Sequence, residues 1–327
     1  MIDHQYDCMK PNQINYISPS RPDIIQGAHR FSRQAMATVF EIMIVYPDVE
    51  YAGQAAYAAF EELDRIENEL SRFISNSDVS RINNLTPQQS TTVGLETFEC
   101  LQQCSILYRD TSGAFDITIG TLLQCWINPD KSPRQPTPSE IQAALKCTGM
   151  HLVILNQSTH TVQLKKAPMM IDLGGYGKGY AVDCMAALLR EWSIDTALIH
   201  SGGSTVLALE APPELAGWPV TISHPQSGET IKRIDLTNRA VSGSGLKKGH
   251  HIIDPRTGSP IKKRSAAWSL ANTAAQADAL STALMIMTPD ETRRYLKSQK
   301  DAQAIVIEEK LSDNEQTRVM YYGFDKQ

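Results

Sequence analysis

No stretch of this sequence approaches the ~18 uninterrupted apolar residues of a membrane-spanning helix. The first residues, Met1-Ile2-Asp3-His4-Gln5-Tyr6-Asp7, carry neither a basic region nor an apolar core, so no export signal is read and a cytoplasmic location is the expectation. Long basic tracts are also missing. The longest is Lys262-Lys263-Arg264 in a chain of net charge −5, which argues against a nucleic-acid partner, because phosphate backbones call for a basic face. Six cysteines (Cys8, Cys100, Cys104, Cys125, Cys147 and Cys184) include no Cys-x-x-Cys pair and no metal-type spacing, and they are expected as reduced structural thiols. Internal repeats and low-complexity tracts are absent as well.

What remains is a globular chain of 327 residues, 42% hydrophobic, enough for a substantial core. Residues 1–30 are polar and rich in Pro, Asn and Ser and read as a loosely held arm, with one domain over 31–327. The run 37–45 is β-branched and apolar and ends at Pro47, as a buried strand does. From Ala52 to Leu70 apolar residues recur near every 3.6 positions, with Phe60, Leu63, Ile66 and Leu70 on one stripe. A polar loop over 71–78, a helix over 96–109 and a turn over 111–116 follow, and the four prolines of 128–139 mark a surface excursion. Strands are expected near 152–155, 161–164, 196–200, 205–209, 219–223, 231–236 and 266–271, and helices near 178–191 and 274–287. Hairpin signals at 156–159 and 201–204 favour antiparallel neighbours over a regular βαβ alternation, so the fold class is α+β.

Four constellations carry chemistry. The glycine-rich segment Asp172-Leu173-Gly174-Gly175-Tyr176-Gly177-Lys178-Gly179-Tyr180 can turn backbone N–H groups and a helix N-terminus toward an anion. It fits neither the Walker nor the dinucleotide spacing, and close strand–helix packing accounts for it equally well. Asp278, Ser281 and Thr282 fall at i, i+3 and i+4 on one helix face and offer hard oxygen donors suited to Mg²⁺, although such a trio is more often a polar surface. His251 has the pKa class for proton transfer at neutral pH, and the residues alone do not choose between it and His250. Gly113-Ala114-Phe115-Asp116 with Met36 and Phe73 offers apolar surface and a carboxylate to a planar ring.

Taken together and in order, from about Gln34 to Met287, these blocks resemble the ApbE family of FAD:protein FMN transferases. The resemblance rests on Met36-Ala37-Thr38, Ser71-x-Phe73, Gly113-Ala114-Phe115-Asp116, the Asp172 to Asp183 glycine-rich block, Ser201-Gly202-Gly203, Ser242-Gly243, His251-Ile252-Ile253-Asp254-Pro255-x-Thr257-Gly258 and Ala277-Asp278-Ala279-Leu280-Ser281-Thr282. It implies a T-fold-like α+β architecture of mixed or antiparallel sheets with a flavin cleft between lobes. It further implies Mg²⁺-dependent transfer of FMN from FAD to a Thr or Ser hydroxyl of an acceptor flavoprotein subunit or reductase, with AMP released. The family's metal set falls on Asp278, Ser281, Thr282 and the backbone of Gly177. Its FAD contacts fall on Met36, Phe73, Ala114, Phe115, Asp116, Gly174, Lys178, Tyr180 and Ile252, and its catalytic histidine on His251. The same site with water in place of the acceptor would be an FAD pyrophosphatase, and a non-catalytic FAD-binding protein is the third reading.

Overall fold

The computed structural model describes residues 17–19, 25–246, 252–262, 264–309 and 317–324. The apolar run read as a strand is β3 (Thr38–Val45), and β2 (Ala28–Ala35) folds back on it through Met36 and Ala37, both at positive φ (47° and 58°). Two consecutive positive-φ residues make the type I′ turn whose twist matches a two-residue hairpin. Six further strands complete an eight-stranded sheet: β7 (Ala197–Ser201), β8 (Thr205–Ala208), β11 (Arg239–Gly245), β14 (Arg264–Ala271), β15 (Gln303–Glu308) and β16 (Arg318–Tyr322). The order is β16-β15-β14-β11-β8-β7-β3-β2, antiparallel at every pairing.

Because side chains alternate across a strand, this sheet feeds two cores. Phe40, Ile42, Ile44, Ile199, Leu207, Ala267 and Ala271 face one side, where α1 (Val49–Leu70), α6 (Gly177–Glu191) and α7 (Ala274–Leu284) pack. Leu198, Val206, Val241, Ala266, Trp268 and Leu270 face the other, covered by a small antiparallel sheet in the order β1-β9-β10, from Ile17–Pro19, Trp218–Ser223 and Thr230–Leu236. Within the segment read as a loose arm, Ile17 is fully buried in a paired strand and Ala28–Arg30 belong to β2.

The remaining elements sit around the helix side. The strands β4 (Ser90–Thr92), β5 (Val153–Asn156) and β6 (Thr161–Leu164) form a small sheet beside α2 (Asp78–Asn83) and α3 (Leu95–Asp110). The proline-rich excursion over 128–139 leads into a helix. Thr137 and Glu140 form a reciprocal capping box around Pro138 and open α5 (Pro138–Leu145), which packs on α4 (Gly120–Trp126). A hairpin of β12 (Ile253–Asp254) and β13 (Ser259–Pro260) rests against that pair, and α8 (Pro289–Ser298) leads into β15. The class is α+β, as expected, with no closed barrel among the described residues, and all pairings between named strands are antiparallel. All five described cysteines are free.

Candidate functional site

The glycine-rich segment crosses from the loop at Asp172 into α6. Asp172 Oδ1 accepts from the Gly174 N–H at 2.8 Å, and Leu173 O accepts from the N–H groups of Tyr176 and Gly177 at 2.9 and 2.7 Å, which closes a tight turn before the helix. One turn further on, a Cβ at Gly179 would lie 2.3 Å from the carbonyl oxygen of Ala274, so this glycine lets α6 approach the start of α7 at a distance closed to any side chain. Asp183, on the same helix, then accepts from the N–H groups of Ala274 and Ala275 at 2.7 and 2.8 Å. It holds the otherwise unpaired donors of the α7 N-terminus, and burial pushes its pKa up to about 6.

This packing carries Asp278 of α7 to the first turn of α6. Its Oδ2 accepts from the Gly179 N–H and from Lys178 Nζ, both at 3.2 Å, and Ser242 of β11 donates to its Oδ1 at 3.4 Å. Lys178 Nζ also donates to Gly174 O at 3.1 Å, which leaves its third proton uncommitted. Ser281 and Thr282 donate their hydroxyl protons back to the Asp278 carbonyl at 2.9 and 3.3 Å, so their lone pairs point away from the helix. Ser244 of β11 reaches both hydroxyl oxygens, at 2.8 and 3.3 Å.

The result is a nest of oxygens from buried Asp278, Ser281 and Ser242 and half-buried Thr282 and Ser244, facing a helix N-terminus and a lysine. The donor set fits a hard cation that retains waters and shares itself with an anionic substrate. Among the described residues no group of three or more His, Cys, Asp or Glu converges, so such an ion would rest on one carboxylate plus hydroxyl and carbonyl oxygens. Of the glycines, it is Gly175 that lies against Thr282, with a Cβ position 3.1 Å from Oγ1, whereas Gly177 opens α6 beside Leu173.

The residues expected at a flavin lie on several separate elements. Met36 sits half-buried in the β2–β3 turn. Phe73 is 82% exposed, with the Arg72 guanidinium 4.3 Å from its ring centroid. Arg72 also pairs with Asp172 at 2.9 Å, tying the Phe73 loop to the glycine-rich turn. Ala114 and Phe115 are buried. Phe115 packs toward Tyr176, which stacks on Tyr180 at 6.0 Å. Asp116 is buried, accepts from the Thr118 N–H and hydroxyl at 2.8 and 2.7 Å, and is pushed by burial up to about 6. Ile252 is buried at the foot of the β12–β13 hairpin. His250 and His251 lie outside the described residues.

Sequence reasoning missed Arg72, Ser244 and the anchoring role of Asp183, since each acts on a partner far along the chain. A cavity of about 520 Å³ is lined by Tyr176, Tyr180, Asp183, Gln276 and Tyr295 among others, so it takes in Tyr180 of the expected flavin contacts, and Asp278 does not line it.

The chain as a whole has counterparts among known proteins. The chain is 28% identical over 295 residues to the FAD:protein FMN transferase of Klebsiella pneumoniae, covering 84% of this chain and 83% of that protein. It is 29% identical over 258 residues to the protein of that name from Haemophilus influenzae, covering 74% and 72%. Among solved structures, the ApbE protein of Thermotoga maritima superposes with a TM-score of 0.80 at 27% identity, over 90% of this chain and 97% of that one. The flavin transferase ApbE of Vibrio cholerae shares the fold, with a TM-score of 0.78 at 22% identity over 90% and 97%. The ApbE family profile itself spans residues 36–306, from the β2–β3 turn through α6, α7 and most of β15, and the chain therefore belongs to the ApbE family.

Proposed function

We propose that this chain is an FAD:protein FMN transferase, joining the FMN phosphate of FAD to a Ser or Thr hydroxyl of an acceptor protein and releasing AMP. The observation that carries the reading is the nest at Asp278, where hard oxygen donors, a lysine with an uncommitted proton and a glycine-built helix start converge. That combination suits a pyrophosphate and a divalent cation, and the curated relatives bear the transferase name.

Mg²⁺, held by Asp278, Thr282 and Ser281, would neutralise charge on the pyrophosphate. The protein's own part is largely positioning, as phosphoryl transfer requires. Lys178 holds a phosphoryl oxygen with its third proton while its other two keep it fixed to Gly174 and Asp278. Arg72 fixes Phe73, whose exposed face offers an apolar platform for a flavin or adenine ring. The acceptor oxygen forms a bond to the FMN phosphorus, the phosphoanhydride bond to AMP breaks, and the hydroxyl proton passes to a base, a role this reading gives to His251.

The test mixes purified protein, FAD, Mg²⁺ and an acceptor domain carrying a Ser/Thr target, then weighs the acceptor. One added FMN per acceptor, lost by roughly 10²-fold or more in Asp278→Ala, is the expected result. Free FMN with AMP and no adduct would instead make the protein a pyrophosphatase, and intact FAD a binding protein.

A further inference from the structure

Arg256 stands in the turn of the β12–β13 hairpin and is held by two carboxylates at once. Its Nε and Nη2 donate to Asp254 Oδ1 and Oδ2, both at 3.0 Å, its own backbone N–H donates to Asp254 Oδ1 at 2.9 Å, and its Nη1 donates to Glu291 Oε1 at 2.8 Å. Glu291 divides its two oxygens. Oε2 accepts from the Thr288 N–H at 2.7 Å and completes the capping box that opens α8, which leaves Oε1 for Arg256. The stem of Arg256 covers Gly113, where a Cβ would come 3.6 Å from Arg256 Cγ.

One side chain thus joins three segments that are remote in sequence: the hairpin, the start of α8 and the Gly113–Asp116 turn. The hairpin has a further anchor on its far side, where Trp126 Nε1 donates to Gly258 O at 2.8 Å and Gly258, at φ 70°, presses against Ile141 and Leu122. Trp126 and Arg256 together fix the tilt of β12, and the chain that enters β12 is the one that carries Ile252 and, one residue earlier, His251.

We propose that Arg256, through Asp254 and Glu291, is a positioning residue for FMN transfer, setting the angle at which the β12 entry meets the Gly113–Asp116 turn. The inference rests on the transferase reading and on His251 as the base. The Arg256 side chain is 29% exposed. Partly exposed ion pairs contribute little to stability, whereas a bidentate fork fixes direction. A base displaced by an ångström costs roughly 10²-fold in rate.

The test compares Arg256→Gln, Arg256→Lys, Glu291→Gln and the double Arg256→Gln/Glu291→Gln, with Arg293→Gln, which breaks the neighbouring exposed pair with Asp290, as the control. Glu291→Gln keeps a capping-box acceptor, so α8 retains its start. Single-turnover transfer at saturating FAD should fall about 10- to 100-fold in Arg256→Gln and Glu291→Gln. Arg256→Lys should recover little, because it lacks the fork. The double should be no worse than the poorer single, as two members of one unit behave. The thermal midpoint should stay near that of Arg293→Gln, and hydrogen exchange over 252–260 should speed up. Wild-type transfer in Arg256→Gln, or a loss matched by an equal loss of folded protein, overturns the proposal. A wild-type protein that modifies no acceptor refutes the transferase reading instead. Exchange over 252–260 then decides the clamp alone, and unchanged exchange in Arg256→Gln overturns it.

Discussion

Asp116 and Asp183 are both carboxylates that burial pushes up to about 6, yet they tolerate replacement differently. Asp183 uses both oxygens on backbone N–H groups, so an amide would lose one acceptor. Asp116 accepts both its bonds on Oδ1, which an asparagine reproduces. Folding raises the pKa of Asp116, so as pH climbs from about 4 to 6 the unfolded chain releases its proton first and the wild type loses stability. Asp116→Asn has no such titration. Its urea-unfolding free energy should match the wild type near pH 4 and exceed it by on the order of 2 kcal/mol at pH 7.5, and a difference independent of pH would deny the buried charge. At this scale the site is legible in the sequence wherever its members share one element: the i, i+3, i+4 spacing places Asp278, Ser281 and Thr282 on one face, and all three lie in the oxygen nest. Ser244, Arg72 and Asp183 are not legible, because their partners arrive from other strands and helices, and no local pattern encodes that meeting.

The pairing of α6 with α7 depends on one missing methyl group. In Gly179→Ala the new Cβ would fall 2.3 Å from Ala274 O, a backbone atom that Asp183 holds in place through the neighbouring N–H groups. The helices must part, at a cost of about 2–3 kcal/mol. Transfer should fall too, since the Gly179 N–H to Asp278 bond goes with the contact. Gly53→Ala, in the interior of α1, is the matched comparison. Its Cβ would sit 3.6 Å from Phe31, an ordinary contact, so removing a helical glycine should stabilise by about 0.5–1 kcal/mol. Opposite shifts in the two thermal midpoints are expected, and equal shifts would mean that α7 yields. Elements with one strong hydrophobic period are readable from the residues alone: β3, α1, α3, α6 and α7 lie within a few residues of their expected spans. Others are hidden for physical reasons. β2 exposes Arg30, Ser32 and Gln34 and turns at Met36-Ala37 without Gly or Asn, so it carries neither a hydrophobic run nor a turn signal. The helix α5 is masked by the prolines around it, although Thr137-Pro138-x-Glu140 is a helix-start signature, and Thr288-Pro289-x-Glu291 repeats it at α8.

The whole molecule hangs on a sheet that belongs to two cores at once. Along β14 all eight residues are buried; Ala267 and Ala271 face the helices, and Ala266, Trp268 and Leu270 face the small sheet. β11 divides Ala240 from Val241 in the same way, and β15 divides Val306 from Ile305 and Ile307. Neither layer can therefore leave without uncovering the back of strands that the other needs, and the free energy of each is tied to both. Ile17 tests this from the outermost edge. It is fully buried against the small-sheet core, and its N–H donates to Gly203 O at 3.2 Å in the β7–β8 turn. Ile17→Ala should cost about 2–5 kcal/mol, as a cavity in a packed core does. Two probes read different layers. Trp218 and Trp268 are fully buried in the small-sheet core and weigh on tryptophan fluorescence, whereas α1, α6 and α7 weigh on far-UV circular dichroism. If the shared sheet couples the layers, the two denaturation curves coincide in the wild type and move together, by the same amount, in Ile17→Ala. A fluorescence transition that moves alone, leaving the helical signal at its wild-type midpoint, would mean that the small sheet unfolds independently and that the coupling through β14 is weaker than its burial implies.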